Sequence, residues 1–206
     1  WLKNGGAHNV LLYLEYGAED WQYTLDDVSI VALNRPGTCD DDMVHNGDFA
    51  TGDSSYWYWH HGGAHELSMV EGTGGPSDSA LKVSNRGWHD VGQRQVIDIG
   101  DCYSPGDRIE VTAKYKLEDK NTGAPASCNR NVYGHVSDGC MDVYISQHNT
   151  AGAHRNERGG NPVAIAPAID NLAGEWQTVK GSYRVADTHG ETAESYVWFR
   201  AGGNFN

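Results

Sequence analysis

The sequence predicts an all-β protein, built as an antiparallel β-sandwich, and three observations lead to that prediction. No segment shows the periodicity of about 3.6 residues that an amphipathic helix requires. Short runs rich in Val, Ile and Tyr alternate apolar with polar residues, and clusters of Gly, Pro, Asn and Asp separate them. Strands that are apolar on one face only need a second sheet to bury that face.

This alternation predicts strands along the whole chain. In the run RIEVTAKYKL, alternate apolar residues fall on one face, namely Ile109, Val111, Ala113, Tyr115 and Leu117. Clusters such as RPGT, YSPGD and NTGAPA provide turns, and HNTAGAHRNERGGNP predicts a long exposed loop. Strands are expected near 9–16, 22–32, 43–45, 66–71, 79–85, 92–98, 107–117, 141–147, 163–166, 176–185 and 194–201.

The composition of the chain limits the classes of function that are expected. A formal net charge of −13 repels phosphate backbones, so nucleic-acid binding is not expected. No apolar run reaches the length of a membrane span and no signal-peptide pattern is present, so the chain that starts at Trp1 is expected to be a mature or excised segment. Seven Trp and eleven Tyr against three Phe favour a wet binding surface, because both carry a flat apolar face and a polar group.

The cysteines Cys39, Cys102, Cys128 and Cys140 form no C-x-x-C pair, which favours two disulfides over a zinc or redox centre. Three connectivities are possible. We favour Cys128–Cys140, because the segment between them resembles a loop, which leaves Cys39–Cys102. Disulfides imply an oxidising compartment and hence a secreted, extracellular protein; four reduced thiols in a cytosolic protein are the alternative.

The run LNRPGTCDDD predicts a boundary, because a strand pair precedes it and a new pattern, VHNGDFATGD, follows. The final ESYVWFRAGGNFN can be aligned with the early NVLLYLEYGAEDWQ, and a rival register sets WFRAGGNFN against WLKNGGAHN. In either register the two ends look like equivalent parts of successive repeats. The predicted division is 1–34 for the end of one module, 35–43 for a linker, and 44–206 for the next module.

From residue 44 onward the sequence resembles a family of carbohydrate-binding modules. The shared motifs are NGDFATGDSSYW, ALKVSNRGWHDVGQRQVIDI, YSPGDRIEVTAKY and EWQTVKGSYRV, in that order, together with LDDVSI. The family comprises jelly-roll modules found beside cellulases and xylanases and in large extracellular repeat proteins. The resemblance implies a jelly-roll sandwich and non-catalytic glycan binding by one repeat of a secreted tandem-repeat protein.

In that family the LDDVSI strand comes last, whereas here residues 25–30 precede the module. The chain is therefore expected to be a window from a tandem array, with the closing strands offset between successive repeats. The open sheet edge would be completed by a neighbouring module or copy. One alternative is a circular permutant in which 1–34 closes its own module. For function, the alternative is a purely structural building block of an extracellular fibre or wall layer, without a sugar site.

Aromatic side chains flanked by hydrogen-bonding groups are candidates for glycan binding, because sugar rings present flat C–H faces. In YWYWHHGGAHE the candidates are Tyr56, Tyr58 and Trp59, and one Trp of the pair at 57 and 59 is expected in the core. The resemblance to xylan-binding relatives adds further candidates: Trp88, Arg86, Gln93, Gln95, Tyr115, Tyr13 and Glu15. Trp198 and Arg200 stand at the place equivalent to the last two.

Many members of the family hold a structural Ca²⁺ between the first turn and the last strand. The resemblance implies Asp48 as one ligand and Asp26 or Asp27 as another, with oxygen atoms supplied by separated segments. Ala50 stands where the family often has Glu, which removes one carboxylate from the expected site.

Other site chemistry is not expected. His60, His61 and His65 are close in sequence, but adjacent histidines on a strand point to opposite sides. Neither G-x-S-x-G nor H-E-x-x-H occurs, and no carboxylate pair sits in a recognisable catalytic motif. The sequence therefore predicts a binding protein and not an enzyme.

Overall fold

The structure, a computed structural model, describes residues 9–15, 21–33, 42–60, 64–87, 92–98, 107–126, 141–149, 164–165, 174–184 and 192–201. These ranges contain strands and turns but no helix, in agreement with the all-β prediction. Consequently, they contain no helix that could cross a membrane. The strands are β1 (Asn9–Glu15), β2 (Trp21–Ala32), β3 (Tyr58–His60), β4 (Glu66–Gly72), β5 (Gly75–Ser84), β6 (Gly92–Asp98), β7 (Arg108–Asp119), β8 (Met141–Asn149), β9 (Ala164–Ile165), β10 (Gln177–Arg184) and β11 (Thr192–Ala201).

Every predicted strand but one coincides with an observed strand, within a few residues at its ends. The exception is 43–45, where the chain makes a turn. The prediction failed there because only His45 separates the apolar pair Met43 and Val44 from the turn-forming Asn46–Gly47. The short β3 was not predicted as a separate strand.

Hydrogen bonding orders the strands as β3-β6-β1-β11-β8-β9-β10-β7-β2-β5-β4. The half formed by β10-β7-β2-β5-β4 is antiparallel throughout, and β9 links it to the other half by pairing with both β8 and β10. The two end strands, β3 and β4, are separated by residues 61–65 only. Such a connection spans about 20 Å at most, so the two ends of the strand order lie near each other.

Strand β2 lies in the middle of the antiparallel half, although it comes early in the chain. It pairs with β5 on one side and with β7 on the other. The position between β5 and β7 is therefore occupied by β2 of the same chain, as the permuted alternative expects. The division into 1–34, 35–43 and 44–206 stays a prediction.

The strands that the sequence aligns as equivalent parts of two repeats are direct neighbours. β1 runs parallel to β11, with Tyr13 beside Trp198 and Glu15 beside Arg200. β1 is also paired antiparallel with β6 and with β8. The register of the β1–β11 pair matches the alignment residue for residue at these positions.

The core lies on one face of the antiparallel half. The alternation predicted for β7 is observed, because its apolar residues are buried and the residues between them are partly exposed. Each fully buried Val, Leu or Ile side chain contributes about 1.5–3 kcal/mol to stability. The buried side chains from the neighbouring strands are Tyr23, Leu25, Leu81, Val83 and Val179.

Lysine side chains line the opposite face of the same strands. Thr24 is buried there, and in the sheet it lies between Lys82 of β5 and Lys116 of β7. The aliphatic stems of such lysines can cover a small residue while their ammonium groups stay in water. Lys82 forms an ion pair with Glu118 at 2.5 Å, and a partly exposed pair of this kind contributes at most about 1 kcal/mol.

Candidate functional site

The segment from residue 42 to 57 packs against β2 before it reaches β3. Asp42 Oδ1 accepts hydrogen bonds from Ile30 N at 2.9 Å and from Val44 N at 3.0 Å. Further along, Val28 N donates to Gly47 O at 2.9 Å. A Cβ atom at Gly47 would overlap the backbone oxygen of Val28. The N-G-D-F motif is therefore a turn that sits directly on β2, and its glycine permits the close approach.

The side chain of Asn46 forms hydrogen bonds across this turn. Its Nδ2 donates to Asp53 O at 3.0 Å and to Ser55 O at 3.3 Å, and its Oδ1 accepts from Thr51 N at 3.3 Å. Its backbone oxygen accepts from Trp57 Nε1 at 2.9 Å. Asn46 has a φ of 51°, in the left-handed region that Asn adopts more readily than most residues. One side chain thus holds the turn at three points.

Trp57 is the core tryptophan that the sequence predicts at 57 or 59. It is buried, and its ring centroid lies 5.5 Å from that of Phe49, which is also buried. The residues on either side of it point outward, so that Tyr56 is 54% exposed and Tyr58 is 55% exposed. The expected pattern of exposed tyrosines around a buried tryptophan is therefore observed, although Tyr56 lies in a turn and not in an extended strand.

We call His45, Tyr56 and Tyr58 the aromatic platform. All three are exposed, and the ring centroids of His45 and Tyr56 lie 5.1 Å apart with an interplanar angle of 34°. Tyr58 stands opposite Arg94 in the β3–β6 pair. The backbone of Tyr56 has a φ of 71°, which is a genuine outlier for an aromatic residue.

Gln95 connects the platform to the sheet. Its Oε1 accepts from His45 N at 2.7 Å and its Nε2 donates to His45 O at 2.7 Å. The side-chain amide thereby imitates one bridge of a β-ladder. Gln95 is buried, so it meets the platform from behind and not from the solvent side.

The resemblance places Arg86, Gln93, Gln95 and Tyr115 in a glycan cleft, but in the structure all four lie in the interior, at most 1% exposed. The guanidinium carbon of Arg86 lies 5.3 Å from the ring centroid of Tyr23. Both side-chain amide atoms of Gln93 are buried and have no hydrogen-bond partner among the described residues. The accessible candidates among the described side chains are therefore Tyr56 and Tyr58.

Several predicted residues cannot be placed as side chains. Trp88 and all four cysteines lie outside the described residues, so the disulfides stay a prediction. For Trp59, Tyr13 and Glu15 the structure describes the backbone only, in β3 and β1.

Asp26 and Asp27 lie at a bulge in β2, where the pairing with β7 shifts register between Asp26 and Ser29. Asp26 is fully buried, and its carboxylate accepts from Asp27 N at 2.8 Å and from Thr73 N at 2.7 Å. Burial raises the pKa of Asp26 above its ordinary value, although these two hydrogen bonds oppose the rise. The bulge thus holds a desolvated carboxyl group whose two oxygen atoms both have partners.

Asp27 forms an ion pair with Lys114. Its Oδ2 lies 2.7 Å from Lys114 Nζ and accepts from Thr73 Oγ1 at 2.9 Å. Burial alone would raise the pKa of Asp27, but the hydrogen bonds from Lys114 and Thr73 outweigh it and hold the pKa below its ordinary value. The hydrogen bond to Asp27 in turn raises the pKa of Lys114.

The calcium site that the resemblance implies stays a prediction, and the described side chains show how its candidate ligands are bound. Asp48 is exposed on its own turn, where its Oδ1 accepts from Ala50 N at 3.1 Å. Lys114 already supplies positive charge to Asp27. Within the described ranges, no group of three or more His, Cys, Asp or Glu side chains is arranged to hold a metal ion. The implied ligands are thus divided between a solvated turn and an ion pair.

No protein family, no curated protein and no solved structure matches the chain.

Proposed function

We propose that this chain is a non-catalytic glycan-binding module whose accessible binding surface is the aromatic platform. The observation that carries the proposal is the exposure of Tyr56 and Tyr58 on either side of the buried Trp57. Two large rings held in water beside a core anchor are suited to stacking on the C–H faces of sugar rings. Each such contact contributes on the order of 1 kcal/mol beyond the area that it buries.

The backbone of Tyr56 supports the same proposal. A non-glycine residue in the left-handed region costs about 1–3 kcal/mol, and such residues cluster at functional sites. Glycine would occupy this position without strain. Core packing does not account for this strained tyrosine, since more than half of its surface is exposed.

The exposed carboxylates on the turn of the platform favour a glycan without acidic groups. Asp48 and Asp53 are both exposed on the turn that carries Tyr56. Hydrogen bonds from the side chain and backbone of Ser55, and from the Thr51 hydroxyl, lower the pKa of Asp53, so this carboxyl group is ionised at neutral pH. Carboxylates accept hydrogen bonds from sugar hydroxyl groups, and they repel uronate or sulfate groups.

For the fold we propose a jelly-roll β-sandwich in a secreted protein with two disulfides. Strands that are buried on one face, and the short connection between the two end strands of the sheet, support a sheet that folds back on itself. In a tandem array, the β2-equivalent strand of a neighbouring copy would take the position between β5 and β7 that β2 of the same chain occupies here. Pairing along both edges of β2 supports its role as the strand that completes the sheet.

One observation favours the alternative, an extracellular building block without a sugar site. Four of the residues that would line the family's cleft are buried in this chain, namely Arg86, Gln93, Gln95 and Tyr115. A module that keeps the sandwich but has no open cleft would serve as a structural unit.

Affinity gel electrophoresis separates the two functions. The intact chain is run through gels that contain neutral polysaccharides or, in a second set, polyuronates. We expect retardation by at least one neutral polysaccharide and by none of the acidic ones. Tyr56→Ala and Tyr58→Ala should each weaken retention about fivefold, the equivalent of roughly 1 kcal/mol.

The matched control is Leu67→Ala, which removes another exposed apolar side chain, on β4. It should migrate like the wild-type chain. Unretarded migration of the wild-type chain in every gel would favour the structural alternative.

A further inference from the structure

We infer that Gln95 and Asn46 are positioning residues for glycan binding, which hold the aromatic platform in shape without touching the ligand. This inference rests on the proposed function. It assigns Gln95 a different role from the direct sugar contact that the sequence predicts.

Gln95 fixes the backbone of His45, and through it the first ring of the platform. Both atoms of its amide group are engaged by the same residue, at 2.7 Å each. Only a side chain with a donor and an acceptor at this length can make both bonds. Because Gln95 is buried in β6, it ties the turn to the sheet at the point where His45 stacks on Tyr56.

Asn46 fixes the peptide units around Tyr56. Its Nδ2 holds the carbonyl of Ser55, which precedes Tyr56, and its backbone oxygen holds the indole of Trp57, which follows. The left-handed backbone of Tyr56 lies between these two hydrogen bonds. Strained conformations persist only where the surroundings over-determine them, and these contacts provide that restraint.

A platform that is already formed loses little conformational freedom when a glycan binds. Ordering one mobile side chain costs binding energy equivalent to about a two- to tenfold loss of affinity. Removing Gln95 or Asn46 should therefore weaken binding by such a factor, although no atom in contact with the glycan has been removed.

The test uses the full chain, labelled for NMR, with Gln95→Met and Asn46→Gly. Methionine keeps the length of Gln95 but makes neither hydrogen bond, and glycine keeps the left-handed backbone of Asn46 accessible. The control is Gln22→Met, because Gln22 is also buried and its Nε2 donates at 2.9 Å to Glu118, far along the sheet. Thermal unfolding establishes whether each variant folds. If Gln95→Met does not fold, the result for Asn46→Gly alone tests the positioning role.

Two readouts are compared, the retention on the polysaccharide that binds the wild-type chain and the ring-current shift that Tyr56 imposes on the His45 side chain. We expect both variants to lose the shift and to bind about two- to tenfold more weakly, whereas Gln22→Met changes neither. Wild-type affinity in the variants, or weaker binding with an unchanged His45 signal, would overturn the positioning role. If the wild-type chain is retained by no polysaccharide, the proposed function fails, and the His45 signal still reports whether these residues set the ring geometry.

Discussion

The aromatic platform and the acidic bulge of β2 lie next to each other and differ in what they leave exposed. The hydrogen bond from Val28 N to Gly47 O joins the two regions. In the platform, two tyrosine rings face the solvent. In the bulge, the carboxylates of Asp26 and Asp27 are matched by backbone amides, a hydroxyl group and Lys114. The tyrosine rings of the platform are therefore accessible to a ligand, whereas the carboxylates of the bulge already have partners within the protein.

Packing at Gly72 supports the same contrast. A Cβ atom there would lie 2.6 Å from Asp78 Oδ2 and 2.8 Å from Asp26 Oδ2. The carboxylate of Asp78 itself accepts from Gly74 N at 2.6 Å. The comparison shows that a group of acidic residues is not by itself a ligand site, since its oxygen atoms can be occupied by hydrogen bonds within the fold.

The largest expected effect concerns the contact that joins the two regions. Gly47→Ala places a methyl group against the backbone of β2, and overpacking together with the lost hydrogen bond should lower the free energy of unfolding by about 2–4 kcal/mol. Urea unfolding measures it. Gly52→Ala is the control, because it has a φ of 72° but open space around it, and should cost only about 1 kcal/mol. Equal stability of the two variants would contradict the close approach.

A second prediction separates the ring of Tyr56 from the strain in its backbone. Tyr56→Ala and Tyr56→Gly should lose glycan retention equally, because both lack the ring. Tyr56→Gly should nevertheless be more stable than Tyr56→Ala by about 1 kcal/mol, since glycine adopts the left-handed backbone without penalty. Thermal unfolding of the two variants checks this. A more stable alanine variant would show that the strain is not present in solution.

A third prediction concerns the cation of the bulge. Lys114→Met removes the partner of Asp27, and the loss should stay below about 1 kcal/mol because both side chains are partly exposed. The melting temperature of the wild-type chain should not respond to calcium chloride or to a chelator. Lys180→Met is the control, because it breaks the pair with Glu110 on the same sheet. Stabilisation of the wild-type chain by calcium would contradict this prediction and support the calcium site that the resemblance implies.

The smallest effect is the pH dependence of the bulge, where the two aspartates act in opposite directions. The pKa of Asp27 is lowered in the folded chain, so its stabilising contribution is present above the ordinary value of 3.8 and is lost as the pH falls through the folded pKa. The pKa of Asp26 is raised, so its ionisation opposes folding as the pH rises above 3.8.

Asp26→Asn tests the second of these directions. The stability of the wild-type chain relative to this variant should decline as the pH rises from 3.8 through the raised folded pKa, as measured by urea unfolding at a series of pH values. A relative stability that increases over the same range would contradict the burial of the Asp26 charge.

Local patterns predicted the strands well because side-chain alternation along a strand is a local property. The buried face of β7 follows directly from the spacing of Val111 and its apolar neighbours. The same reasoning predicted that one tryptophan of the YWYW run is buried, and Trp57 lies buried between the exposed Tyr56 and Tyr58. The position of β2 between β5 and β7 could not be derived in this way, because it depends on pairing between residues far apart in sequence.

The contacts that support the candidate site were not predicted, for the same reason. Gln95 and His45 are separated by 50 positions, and nothing in either segment identifies the other as a partner. Lys114 opposite Asp27 is a tertiary contact of the same kind. Asn46 carried a local signal, since Asn-Gly is a strong turn sequence in which Asn adopts left-handed φ values.

The most direct test of the account is an NMR titration of the intact chain with a soluble oligosaccharide of the glycan that retards it in gels. The account predicts the largest signal changes at the side chains of His45, Tyr56 and Tyr58, with the signals of Asp26 and Lys114 unchanged. Changes concentrated at Arg86 and Gln93, with both tyrosines unaffected, would contradict it and place binding in the interior polar residues.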